Sequence, residues 1–214
     1  AYDRCKVAVV TNIGTGDHLG LNYITTVEDL AVLKRVIVQN VADNGVAVLN
    51  AADPIVAGMA KNCTGAVTFF AVDSQLPIMA AHRVKGHRVV FVEDGDLVAV
   101  EGKLIQRIPL TDIPITRNGT IGFQVENVMA SVAAAWDINL SWDAIRQGLK
   151  TFMNDSDNAP GRFNVFSYRG ATLIADYGHN PDAISALVQA VDSMPGNRRT
   201  VVISGAGDRR DQDI

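Results

Sequence analysis

The chain has 214 residues, 48% of them hydrophobic and 20% charged, with a formal net charge of −4. This is an ordinary globular balance, with enough apolar material for one large domain or two modest ones. The mild negative charge argues against general binding to nucleic acid or to a membrane surface. No apolar run is long enough to span a membrane, and no segment reads as a signal peptide. Cys5 and Cys63 lie far apart, without CxxC spacing or histidine partners, as expected of reduced thiols in a cytoplasmic protein. The chain starts on a core strand without an initiator Met and stops just after a glycine-rich turn, which predicts a piece of a longer polypeptide.

Taken in order, the apolar run at residues 7–13 predicts a buried strand. A polar, glycine-rich loop follows, with Asn12, Asp17 and His18 at the strand's exit. Thr26 and Asp29 can cap a helix reaching residue 39, with Leu30, Leu33, Ile37 and Val41 on its apolar face and Lys34 in its middle. Asn44-Gly45 predicts a turn into a second strand at 46–49, which leads to Asn50-Ala-Ala-Asp53-Pro54. A short helix to residue 60 and a third strand at 66–70 follow. This alternation predicts a mostly parallel sheet with crossover helices.

Three β-rich runs at 88–92, 97–100 and 104–108 are divided by Asp-Gly and Glu-Gly turns, predicting a small antiparallel meander appended to that sheet. His82 and His87 near its start read as ordinary surface residues. Helices are expected over 122–137, with Val125, Val128, Met129 and Val132 inward, and from Ser141 to about Phe152. The polar stretch 154–159 before Pro160-Gly161 marks a linker. The fold class is therefore α/β, with the domains divided as residues 1–158 and 159–214. The second begins as a Rossmann-like domain: a hairpin around Arg169-Gly170, a helix starting at Pro181, and a strand at 199–204. It carries no GxGxxG fingerprint.

Polar clusters stand at the element ends: Asn12/Asp17/His18, Asn50/Asp53, Asp176/His179/Asn180 and Asp208/Arg209/Arg210, with Arg162 in the linker. In a parallel sheet such ends share a rim. Carboxylates with a histidine can ligate Mg²⁺ or Mn²⁺, and arginines can hold phosphate oxygens. The residues themselves lead to a phosphate- and metal-handling α/β protein, and no further.

In order along the chain, these clusters resemble the Mur ligase family, the ATP-dependent enzymes that form amide bonds in peptidoglycan and folylpolyglutamate synthesis. Thr11-Asn12-Ile13 with Asp17-His18-Leu19 resembles the family's metal loop, implying His18 as a Mg²⁺ ligand. Lys34 falls where the family often has a carbamylated lysine that helps hold a second metal. Asn127 matches the asparagine that contacts adenine, and Gln124 stands where a second asparagine is usual. Pro160-Gly161-Arg162 matches the linker arginine that reaches the nucleotide phosphates. Asp176-Tyr-Gly-His179-Asn-Pro resembles the opening of the C-terminal domain, where Asp176 would meet the ribose or the linker.

The resemblance implies ATP and Mg²⁺ as cofactors. In wording it looks most like the branch that joins L-arginine to a poly-aspartate primer through an acyl phosphate, as a homo-oligomer of the full-length protein. The family's GxxGK[ST] loop and the glutamate that shares the metal with the histidine do not occur in this sequence. The 214 residues alone are thus expected not to turn over ATP. A peptidoglycan or folylpolyglutamate-type ligase, and a non-catalytic Mur-like polymer-binding module, remain as alternative readings.

Overall fold

The computed structural model describes residues 4–14, 24–196 and 198–203. Six strands form one sheet in sequence order: β1 (Cys5–Val10), β2 (Val41–Asn50), β3 (Ala66–Phe70), β4 (Val89–Glu93), β5 (Asp96–Glu101) and β6 (Leu104–Pro109). The first four run parallel, and β5 and β6 fold back antiparallel through the Asp94-Gly95 and Gly102 turns, all three residues at positive φ. The expected meander is present and joined to the parallel sheet through β4. It completes the sheet, because β4 pairs with β3 on one side and with β5 on the other.

Alternation along the strands divides the core into two layers. Ala8, Val10, Leu49, Phe69, Phe91 and Val98 point to one face. There they meet α1 (Val27–Lys34), α2 (Val36–Gln39), α3 (Pro54–Gly58) and α4 (Pro77–Val84). Val48, Phe70, Val90, Leu97 and Ala99 point to the other. That face is covered by the long helix α5 (Gly122–Asp137), with α6 (Trp142–Thr151) beside it. Val125, Val128, Met129 and Val132 of α5 are buried as their spacing predicts. Beyond α6, β7 (Asn164–Tyr168) and β8 (Ala171–Ala175) form a hairpin whose Arg169 and Gly170 both have positive φ. Helix α7 (Pro181–Asp192) follows, with Asn180 as its cap.

Several expectations need correction. The single helix to residue 39 is broken at Arg35, which resets the helical phase. Leu33 and Ile37, expected in the core, are 53% and 43% exposed, and Val38 is buried in their place. Lys34 is the last residue of α1 rather than mid-helix. Asn44-Gly45 lies inside β2, where the pairing with β1 slips register, rather than in a turn before it. Helix α4 escaped the sequence reading, and His82 on it is no plain surface residue. Its Nε2 lies 2.8 Å from the Val67 carbonyl and its ring packs edge-on against Phe69. Burial pushes the His82 pKa down, and the neighbouring His87 and Lys85 act in the same direction. The strand expected at 199–204 is absent from the described part of that span: residues 198–203 form none, and Val202 is 95% exposed.

One charged cluster closes the amino ends of the strands. Asp137, at the last turn of α5, has a fully buried side chain. Its Oδ1 accepts from Arg88 Nη1 at 2.9 Å and from Thr68 Oγ1 at 3.2 Å. Arg88 also pairs with Glu101 at 3.1 Å and stacks on Trp136, its guanidinium carbon 4.5 Å from the ring centroid. Arg88 Nη1 donates to the Trp136 carbonyl as well, so the cation sits at the negative end of the helix. Burial pushes the Asp137 carboxyl up, against the hydrogen bonds from Arg88 and Thr68.

Candidate active site

The loops at the carboxyl ends of the strands are tied together by side chains that seek backbone donors. Asp53 Oδ1 caps α3 by accepting from Ile55 N at 2.8 Å and Val56 N at 3.1 Å. Its Oδ2 accepts from Ile13 N at 2.8 Å, which fastens the loop after β1 to the loop after β2. Buried Asn50 holds the intervening turn by accepting from Ala52 N at 2.9 Å. Asn50 and Asp53 are therefore occupied in shaping the rim. Asn12 stays exposed, its Oδ1 accepting from Thr11 Oγ1 at 3.0 Å. Lys34 is half-buried. Asp17, His18, Asp208, Arg209 and Arg210 lie outside the described residues.

A second group gathers on the segment that leads into β7. Asp176 Oδ2 accepts from Phe163 N at 2.8 Å and its Oδ1 from Gly178 N at 2.6 Å. The first contact ties Asp176 to the residue after Arg162, and the second is local to its own turn. Exposed Arg162 lies beside this clamp, its guanidinium carbon 5.8 Å from the Tyr177 ring, with its carbonyl held by Asn154 Nδ2 at 2.6 Å. His179 Nδ1 is 3.0 Å from the Tyr177 carbonyl, and the two rings pack 5.0 Å apart. Phe163 has a φ of 52°, a left-handed conformation unusual for a bulky side chain.

That conformation turns Phe163 into a small apolar core with Ile121 and Ala190. Its ring meets Phe123 edge to face at 5.4 Å. Phe123 precedes Gln124, and Phe163 follows Arg162. One aromatic contact thus ties the first turn of α5, which carries Gln124, to the arginine segment, with Asn127 one turn further along the helix. Asn127 Nδ2 donates to Gln124 Oε1 at 3.2 Å. A further approach joins α7 to the loop after β1: a Cβ built on Gly14 would sit 2.6 Å from Asp182 Oδ2.

The sequence reading missed Phe123, Phe163, Tyr177 and Asp182. An aromatic on either side of the linker was the signal available. Among the described residues, no three His, Cys, Asp or Glu side chains group as a metal site. Two hollows of about 310 and 470 Å³ lie elsewhere, one beside Lys6, Arg88 and Asp137, the other beside Arg83, Phe91 and Ile105.

Comparison with known proteins fits this layout. The family model of the Mur ligase middle domain matches residues 2–135, and that of the Mur ligase glutamate ligase domain matches residues 161–213. The chain belongs to the Mur ligase family. Within that family it is similar to the cyanophycin synthetase of Geminocystis herdmanii (strain PCC 6308), with 38% identity over the whole chain. It spans 24% of that protein, about a quarter of the length of the cyanophycin synthetases it matches. It is also 30% identical to the UDP-N-acetylmuramoyl-L-alanyl-D-glutamate--2,6-diaminopimelate ligase of Geobacter sulfurreducens, covering 97% of this chain and 39% of that one. In fold it matches Escherichia coli FolC, solved in complex with DHPP and ADP, with a TM-score of 0.61 and 22% identity over 91% of this chain and 40% of that one. Among the described residues no helix is long and apolar enough to cross a membrane.

Proposed function

We propose that the chain is the nucleotide-side portion of an ATP-dependent carbon–nitrogen ligase that attaches L-arginine to a poly-aspartate chain, the polymer cyanophycin. The observation that carries this reading is the 38% identity to a cyanophycin synthetase over all of this chain. The contact of Phe123 with Phe163, which links the helix carrying Asn127 to the segment carrying Arg162, supports it. In this reading residues 1–158 are the later part of a Mur ligase central domain and 159–214 the start of its C-terminal domain. The whole protein works in the cytoplasm as a homo-oligomer.

The reaction has two steps. The terminal phosphoryl group of ATP passes to an oxygen of the aspartate β-carboxylate, releasing ADP. The arginine α-amine then attacks the acyl carbon, the C–O bond to phosphate breaks, and the amine gives up a proton as phosphate leaves. Asn127 and Gln124 face the adenine. Arg162 balances charge on the transferring phosphates, where a bidentate guanidinium suits phosphoryl oxygens. Asp176 and His179 hold the segment that delivers it, and Asn12 lines the rim. Mg²⁺, when bound, neutralises phosphate charge, and the family resemblance names His18 and a carbamylated Lys34 as its holders. Among the described residues no three His, Cys, Asp or Glu side chains gather to hold it.

The test uses the full-length parent protein. Arginine-dependent ADP release is measured with a primer ending in aspartate, for wild type, Asn127→Ala and His18→Ala. Release by wild type and its loss in both variants is the expected result. A second reading, a peptidoglycan-type ligase, is favoured by the 30% identity to the diaminopimelate-adding enzyme. Release with a diamino acid and a UDP-linked peptide, but not with arginine, would establish that reading instead. No release with any acceptor would leave a polymer-binding module.

A further inference from the structure

We infer that Asn164 is a positioning residue for Arg162: its buried carboxamide closes the linker loop into one shape, and so sets where the Arg162 guanidinium meets the nucleotide phosphates. The inference rests on the phosphate role proposed above for Arg162 and goes one residue beyond it.

Asn164 is the first residue of β7 and only 2% exposed. A buried carboxamide is costly unless both of its ends are bonded. Here both are. Oδ1 accepts from Gly161 N at 2.7 Å. Nδ2 donates to the Ala159 carbonyl at 2.9 Å and to that of Asn154 at 3.4 Å. A backbone N–H can only donate and a carbonyl can only accept, so these partners allow the amide one orientation. All three bonds run back into the linker.

The loop so closed leaves the backbone around the arginine little freedom. The Gly161 carbonyl accepts from Tyr177 N at 2.8 Å. Arg162 N donates to the Ala159 carbonyl at 3.3 Å, and the Arg162 carbonyl accepts from Asn154 Nδ2 at 2.6 Å. Phe163 N is held by Asp176 at 2.8 Å. The Ala159 carbonyl thus serves Asn164 and Arg162 together, which ties the carboxamide to the arginine's own amide. Beyond this stem the Arg162 side chain is exposed and lies against the Tyr177 ring. A long side chain on a fixed stem reaches an anion with less ordering cost than one on a loose loop. An apolar residue at 164 would strand the Gly161 N–H, and a carboxylate would face two carbonyls.

The test is a double-mutant cycle on ADP affinity, read by calorimetry in the full-length protein, with wild type, Asn164→Ala, Arg162→Ala and the double variant. Arg162→Ala is expected to weaken ADP binding about tenfold or more, the loss of one charge-assisted contact. Asn164→Ala is expected to weaken it about fivefold to tenfold when Arg162 is present, and less than about twofold when Arg162 is already alanine. A role confined to stability would weaken binding by the same factor in both backgrounds, and melting temperatures report stability separately. Should Asn164→Ala not fold, Asn164→Asp repeats the cycle: it keeps the bond from Gly161 N and opposes the two carbonyls, so the same pattern is expected. Equal factors in both backgrounds, or no loss in either, overturn the inference with the nucleotide reading intact. Arg162→Ala binding ADP like wild type, or wild type binding none, overturns the phosphate role and the inference together.

Discussion

The two ends of the parallel sheet carry the same kinds of polar side chain and use them in opposite ways. At the amino ends Arg88, Asp137, Glu101 and Thr68 bond to one another, around a carboxylate with no solvent exposure whose Oδ2 has no hydrogen-bond partner among the described residues. At the carboxyl ends Asp53, Asn50 and Asp176 satisfy backbone N–H groups of loops. The first arrangement locks a helix to a sheet. The second spends carboxylates on loop shape and leaves Asn12, Asn127 and Arg162 exposed. A charged residue in this molecule is therefore read by its partner: another charge marks scaffold, and a backbone amide marks a loop held for use.

That contrast can be broken at either end. The largest effect belongs to Arg88→Ala, which strands a buried Asp137. A loss of about 3–5 kcal/mol in urea unfolding is expected. Next is Gly65→Ala at the same end, where a Cβ would collide with the Gly45 carbonyl and lie 2.7 Å from that of Ala42, both main chain. Backbone cannot step aside as a side chain can, and about 1–3 kcal/mol should be lost.

At the carboxyl ends, Asp53→Ala should cost about 1–2 kcal/mol, through loss of a helix cap and of the tie to Ile13. Nucleotide affinity of the full-length protein should fall with it. An unchanged affinity would sever the rim from the site.

Acidity probes the amino end more gently. His82 has a depressed pKa when folded, so the unfolded chain binds the extra proton first. Its contribution is complete above the ordinary histidine value of about 6.5 and is lost as pH falls through the folded value. Replacing it by Gln should flatten the pH dependence of the melting temperature below about pH 6.5. The smallest effect is Gly14→Ala. The clash there is with the far end of the Asp182 side chain, which can swing away, so stability should change by less than about 0.5 kcal/mol.

Much of this was legible before any coordinates. The short apolar run of β3, the inward stripe of α5 and the Asp-Gly and Arg-Gly hairpins obey local rules, and local rules are written in neighbouring residues. Helix α4 was missed although Pro77 stands at its first position: Leu76 offers no side-chain cap, and Met79 is the helix's one buried residue. Leu33 and Ile37 misled because spacing cannot register the break at Arg35. Within the site, Arg162, Asp176 and Asn127 were found by motif. The meeting of Phe123 with Phe163 was hidden, because it joins positions forty residues apart through a left-handed backbone that no period encodes.

The bond from Ile13 to Asp53 has a consequence for motion. A single carboxylate serves the amides of residues 13, 55 and 56, on two loops far apart in sequence. Those three amides depend on one side chain, Ile13 on its Oδ2 and Ile55 and Val56 on its Oδ1, so displacing that carboxylate exposes all of them. In hydrogen exchange they should behave as a single unit, slowing together when a ligand settles on either loop.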